Sequence, residues 1–287
     1  MTETYTNLNS NYNSLQTQIT KRFGRTLTMN ASWTYSKVLA WNQGGAGTSS
    51  DPICGQPFAI AGACIPQNVA RLVDYSDTGN HTHNIVTNFT YRIPNSHFDN
   101  AFVKQALNGW TLEGTYEWVS GAPGLVSEST STDNLNGGCS SCNVGWGTRV
   151  NIVPGVSPYL KTGNNGFQYL NFAAFAPSAG GPGICQGTAA TCGFGNSGIF
   201  NYVGPATNNL DVSLFKDFQL GKTEARKLEI RWETYNTLNH TEFTTFASTS
   251  LTLNAAGQAL AGSNSTFGQF NNTNAPRIMA FAAKLMF

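Results

Sequence analysis

The sequence predicts an all-β chain: about seven long antiparallel strands forming a segment of a transmembrane β-barrel, incomplete by itself, with long extracellular loops. Three observations predict it. Apolar and polar residues alternate in seven separate runs of about 10–13 residues, the mark of strands with two unlike faces. Charged residues are only 11% of the 287, against roughly 25% in soluble domains, while aromatics reach 12%. The connections between runs alternate in length, shorter then longer, along the whole chain.

The first run, about 12–23, sets Leu15, Thr17, Ile19 and Phe23 against Ser14, Gln16, Gln18, Thr20 and Arg22. The second, about 26–38, sets Leu27, Met29, Ala31, Trp33 and Tyr35 against Thr28, Asn30, Ser32, Thr34 and Ser36. The third, about 82–93, opposes Ile85, Thr87, Phe89, Tyr91 and Ile93 to Asn84, Val86, Asn88, Thr90 and Arg92. In the fourth, about 109–120, Trp110, Leu112, Gly114, Tyr116 and Trp118 alternate with Thr111, Glu113, Thr115 and Glu117. The fifth, about 208–219, opposes Leu210, Val212, Leu214 and Phe218 to Asn209, Asp211, Ser213 and Asp217. The sixth, about 226–237, opposes Leu228, Ile230, Trp232 and Thr234 to Lys227, Glu229, Arg231 and Glu233. The last, about 276–287, carries Met279, Phe281, Ala283, Leu285 and Phe287 against Ala280, Ala282 and Lys284. Pro94 closes the third strand and Pro276 opens the seventh, so neither removes a donor from the middle of a ladder.

These runs are about twice the usual strand length of soluble sheets. Their carboxylates and most of their cations share one face, which a wet lumen would solvate and lipid would not. The shorter connections are Gly24-Arg25, about 94–108 and about 220–225; the longer are about 39–81, 121–207 and 238–275. Outer-membrane barrels show this asymmetry, with short periplasmic turns and long outer loops. The expected lipid-facing girdle is then Phe23, Trp110, Phe218 and Phe287 at the periplasmic end, with Tyr35, Trp33 and Trp118 toward the other end. Lys21 and Lys216 interrupt the apolar face two positions before Phe23 and Phe218, where a long side chain would snorkel to the interface.

A sheet of seven spanning strands leaves two open edges, and open edges do not persist in hydrocarbon. No signal peptide opens the sequence. Both points lead to the expectation that residues 1–287 are the C-terminal portion of a longer barrel whose earlier strands precede Met1. Phe287, ending an alternating strand, is the feature the barrel assembly machinery would read.

Cys54 and Cys64, Cys139 and Cys142, and Cys185 and Cys192 lie in close pairs outside all seven runs. An even count in loops suggests three local disulfides and an oxidising compartment. A zinc site on Cys139 and Cys142 is the weaker reading, since no second pair or His lies close by in sequence. The net charge of +1 gives no nucleic-acid footprint. Glu113 with Glu117, and Glu229 with Glu233, stand about 13 Å apart along a strand, too far for paired glycosidase carboxylates. His81 and His83 flank a strand entrance without a clear third metal ligand. No phosphate loop appears, Gly155-Val156-Ser157-Pro158-Tyr159 lacks the second glycine of a nucleophile elbow, and Asn88-Phe89-Thr90 is a glycosylation triplet placed mid-strand. The residues therefore suggest neither an enzyme nor a cofactor.

Several blocks resemble one family. Asn11-Tyr12-Asn13-Ser14-Leu15-Gln16 followed by Thr20-Lys21-Arg22-Phe23, Trp33-Thr34-Tyr35-Ser36-Lys37, and Asn108-Gly109-Trp110 are three of them. Ser120-Gly121-Ala122-Pro123, Asn209 through Lys216, Arg231 through His240, Thr266-Phe267-Gly268-Gln269, and Pro276 through Phe287 are the others. Together, in this order and spacing, they are similar to the C-terminal barrel of TonB-dependent outer-membrane receptors of the Oar-like group. The resemblance implies outer-membrane lipid as a partner and binding or uptake of a large, unknown extracellular ligand. It also implies energy supplied by TonB, acting through a plug domain that these 287 residues do not contain. The alternative is a soluble secreted β-protein, such as an adhesin or a carbohydrate-binding module; a hydrolase with its site in the loops ranks last. Segment 121–207, the longest loop, is the expected ligand-contacting part.

Overall fold

The computed structural model describes residues 10–40, 81–97, 99–128, 150–160, 167–177, 196–197, 200–220, 226–254 and 258–287. All six cysteines, and so the expected disulfides, lie outside these residues. In chain order the elements are β1 (Ser10–Phe23), β2 (Leu27–Ala40), β3 (His83–Arg92), helix α1 (Ala101–Leu107) and β4 (Trp110–Val119). Five short strands follow: β5 (Pro123–Gly124), β6 (Ser127–Glu128), β7 (Asn151–Ile152), β8 (Phe175–Ala176) and β9 (Tyr202–Val203). The remainder are β10 (Thr207–Gln219), β11 (Lys227–Tyr235), β12 (Phe243–Phe246), β13 (Ser250–Leu251), β14 (Phe270–Thr273) and β15 (Ile278–Met286).

The seven long strands form one antiparallel sheet in the order β1-β2-β3-β4-β10-β11-β15, so every strand pairs with its neighbour among the predicted runs. Antiparallel order follows from the connections, because a three-residue turn such as Gly24-Arg25-Thr26 can join only antiparallel strands. Gly24 has φ +62°, a conformation that glycine adopts without steric cost. The register places the predicted faces in common rows. One row runs Phe23, Leu27, Tyr91, Leu112, Leu214, Trp232, Phe281. The adjacent row on the opposite face runs Arg22, Thr28, Thr90, Glu113, Ser213, Glu233, Ala280. Phe23 ends its strand while Phe281 sits mid-strand, so the rows drift along the sheet. That stagger is the one barrel closure requires. Among the described residues the sheet is open, with β1 and β15 as its edges.

The two faces are exposed in an unusual way. Large apolar side chains of the sheet lie open: Phe281 is 80% exposed, Ile19 63%, Leu285 57% and Leu15 55%. The buried hydrophobic core is elsewhere. Val126, Val150, Leu170, Ala174, Phe175, Leu251 and Phe267 form it, and all come from the connections β4–β10 and β11–β15. The connection about 94–108, expected as a turn, contains α1. Its N-cap Asn100 accepts from the Phe102 and Val103 amides at 2.9 and 3.3 Å.

Candidate functional site

Two surfaces offer recognition chemistry: the layer made by the two long connections, and the polar face of the sheet. The layer begins where β4 ends. Gly121 is buried, and a Cβ there would come within 1.7 Å of the Gly204 carbonyl oxygen. The strand exit therefore needs a residue without a side chain, and Gly204 N–H donates to the Ala122 carbonyl at 2.8 Å. Short pairings then knit the connections together: β5 with β9, β7 with β8, β12 with β14, and β6 in parallel with β13.

Amide side chains complete this layer by imitating backbone. Asn201 accepts from Val126 N–H at 2.8 Å and donates to the Val126 carbonyl at 2.9 Å. Asn264 makes the same pair of bonds with Thr252, at 2.7 and 3.0 Å. Gln168 donates to the carbonyls of Leu170 and Phe267 at 2.9 and 2.7 Å. Segments too short for ladders thereby satisfy their buried polar groups.

Aromatic rings fill the space beneath. Phe172 and Phe175 meet Phe267 edge-on, at 5.7 and 5.8 Å between centroids. Tyr169 packs on Tyr159, Phe246 and Phe270 at 5.3, 5.9 and 5.3 Å. The Tyr169 hydroxyl donates to the Val203 carbonyl at 2.9 Å, while the Tyr159 hydroxyl accepts from Val203 N–H at 2.8 Å. Burial pushes the Tyr169 phenol up to about 12, with further contributions from Tyr159 and Tyr202. Burial likewise raises Tyr202, followed by Tyr159. Burial in the layer thus favours the neutral form of Tyr169 and Tyr202.

The polar face of the sheet carries the charges. Arg231 bonds to Glu229 at 3.1 Å and Glu233 at 3.3 Å, with its guanidinium 4.8 Å from the Phe215 ring centroid. Lys227 pairs with Asp217 at 2.7 Å. A depression of about 350 Å³ is bounded by residues that include Asn88, Glu113, Thr115, Asp211, Glu233 and Tyr235. Asp211 is committed to the chain turn, accepting from Asn236 N–H at 2.9 Å. Glu113 meets the Thr90 hydroxyl at 3.4 Å, and Glu233 accepts from the Tyr235 hydroxyl at 3.1 Å. Glu113 and Glu117 fall in different rows and share no bond; Glu229 and Glu233 are joined only through Arg231.

The predicted girdle residues all occupy the opposite, apolar face by register or alternation. Trp33 and Trp118 share a row at the long-loop end, with Tyr35 in the next row outward. Phe23, Trp110, Phe218 and Phe287 lie toward the short-turn end. His83, first read as a strand-entrance residue, belongs with them. It stacks on Trp33 at 6.0 Å, lies 5.2 Å from Tyr35 and 6.4 Å from Trp118, and accepts from Trp33 Nε1 at 3.3 Å. Its odd number, like that of Ile85, was the available signal. His81 turns instead to the Ser120 carbonyl, at 2.6 Å.

The two lysines on the apolar face behave differently. Lys21 is exposed, with its ammonium 5.7 Å from the Phe23 ring. Lys216 does not snorkel: it is 4% exposed and donates to the Gln105 and Ala106 carbonyls at the end of α1. The Phe218 ring lies 4.6 Å from its ammonium and the Trp110 ring 5.8 Å. The helix brings acceptors to the amine, so it has no need to reach water.

No helix among the described residues is long and apolar enough to cross a membrane, which says nothing of strands. No curated protein and no solved structure matches the chain. A family model for an outer membrane beta barrel domain matches residues 1–280. With that match over nearly its whole length and an antiparallel sheet of long, two-faced strands, the chain belongs to the outer membrane beta barrel domain family and is an outer-membrane protein.

Proposed function

We propose that the chain is the C-terminal part of a TonB-dependent receptor barrel of the Oar-like kind, serving binding or uptake of a large ligand at the cell surface. Its apolar face meets lipid and its polar face a wet lumen. The short-turn end is periplasmic, and the loop layer stands outside as the ligand-contacting surface. The plug through which TonB would act lies in another part of the polypeptide, and catalysis has no part in the role.

One observation carries the reading: side chains as apolar as Phe281, Ile19 and Leu285 lie open along one face, while the dry core is built from the loops. In water such a face would be an aggregation surface; in a bilayer it is solvated. Direction supports the incomplete barrel. Six antiparallel steps separate β1 from β15, so the two edge strands run the same way. Only an odd number of further strands closes such a sheet with every pair antiparallel. Closure then gives the even total usual in bacterial barrels.

The test uses neighbours on opposite faces of one strand. Phe281→Arg places a cation on the apolar face, at a cost of about 2–4 kcal/mol near the bilayer midplane. Ala282→Arg places the same cation on the polar face. We expect Phe281→Arg, like Trp33→Arg or Leu112→Arg, to block assembly in outer membranes, and Ala282→Arg to assemble normally. Equal assembly of Phe281→Arg and the parent chain would overturn the lipid assignment.

A further inference from the structure

We propose that α1 is an interfacial foot: it lies in the headgroup region of the periplasmic leaflet, with phospholipid as its partner. The inference rests on the lipid assignment above and extends it to a segment that no strand pattern covers.

The helix is short, but its faces are sharply divided. At about 100° per residue, Val103 and Ala106 share a stripe, Phe102 and Leu107 flank it on either side, and Lys104 and Gln105 lie opposite. Exposure follows this division. Val103 and Ala106 are half-buried, and Lys104 and Gln105 are exposed. Phe102 is 81% exposed and Leu107 54%. Two large apolar side chains thus stand open beside the buried stripe, with the polar pair behind them. This is the pattern of a helix lying in an interface plane.

The helix is also held in place. Its last carbonyls are taken by two residues of the apolar face that sit directly opposite each other, Lys216 and Trp110. Lys216 donates to Gln105 and Ala106, and Trp110 Nε1 donates to the Ala106 carbonyl at 3.0 Å. The entry is clasped as well. Ser96 and Asn108 exchange bonds at 2.9 and 2.8 Å, and Asn95 accepts from Gly109 N–H at 3.1 Å. The segment is therefore a fixed element docked on the apolar face where that face ends.

Continuity identifies the occupant. The exposed apolar side chains at this end of the sheet include Phe23, Leu220 and Phe287, at 47%, 54% and 96%. Phe102 and Leu107 extend the same apolar margin. A stable protein partner needs roughly 800 Å² on each side. Two side chains on a seven-residue helix cannot supply that area, whereas a lipid surface has no such minimum.

The test places photoreactive p-benzoylphenylalanine singly at positions 102, 105, 107 and 281 of the protein as its gene encodes it, in outer-membrane vesicles. The replaced residues are exposed, so the fold tolerates the change. After irradiation, lipid adducts are measured by mass spectrometry. We expect positions 102 and 107 to yield several-fold more phospholipid adduct than 105, with 281 yielding adduct as the mid-strand reference. Adduct at 281 with 102 and 107 no better than 105 would overturn the foot and leave the lipid face standing. Loss of adduct at 281 as well would overturn both. Cross-links from 102 or 107 to a protein in place of lipid would also refute the proposal.

Discussion

At the scale of single residues, Lys216 and Tyr169 find their partners in segments far away along the chain. Lys216 pairs with no carboxylate among the described residues, yet two carbonyls and two aromatic rings receive its ammonium. Lys216→Met keeps the stem and removes the donor, so the end of α1 should lose about 1–3 kcal/mol of local stability. Faster amide exchange across 101–107, with the strands unchanged, is the expected result. Tyr169 gives a pH prediction. Its phenol titrates at about 12 in the folded layer and near 10 when unfolded. A raised value favours the neutral form in the fold. Its stabilising contribution is thus complete below pH about 10 and is lost as pH climbs toward about 12. Phenolate absorbance should show a late-titrating step that Tyr169→Phe removes. The sequence displayed both residues but not their fates, because the acceptors for Lys216 and the rings around Tyr169 come from distant segments.

At the scale of elements, alternation made the seven long strands legible, and the register confirms every face assigned from it. What alternation could not reveal is the loop layer. Strands of two residues carry no period, and the bonds that hold them join Asn201 to Val126 and Gln168 to Phe267, far apart along the chain. The helix left a readable trace, an Asn100 cap ahead of Ala101-Phe102-Val103, but its placement inside an expected turn hid it. The layer should unfold separately from the sheet. Phe267, 1% exposed, sits at its centre, and Phe267→Ala should cost about 3–5 kcal/mol. Limited proteolysis should then cut within 121–207 and 238–275 while the strands stay protected. Gly121→Ala should open the β5–β9 pairing at a cost of about 1–3 kcal/mol, because its methyl meets the Gly204 carbonyl.

At the scale of the whole molecule, strand direction is the strongest constraint. The odd strand number was visible in the sequence, and with it the expectation of further strands. The row drift from Phe23 to Phe281 was not, since register depends on pairing geometry. β1 and β15 cannot join each other as an antiparallel pair. A cysteine pair at Thr17 and Ala283 should therefore give no intramolecular cross-link in assembled barrels. Efficient cross-linking there would mean that the seven strands close on themselves and that the proposed larger barrel is wrong.

The amide fastening of the loop layer has a consequence for the surroundings in which it works. The three ion pairs among the described residues, Lys227–Asp217, Arg231–Glu229 and Arg231–Glu233, all belong to β10 and β11. Neutral carboxamides join Asn201 to Val126, Asn264 to Thr252 and Gln168 to Phe267, and added electrolyte screens charges while leaving such clamps untouched. Segments fastened in this way should keep their packing alike in dilute and briny media.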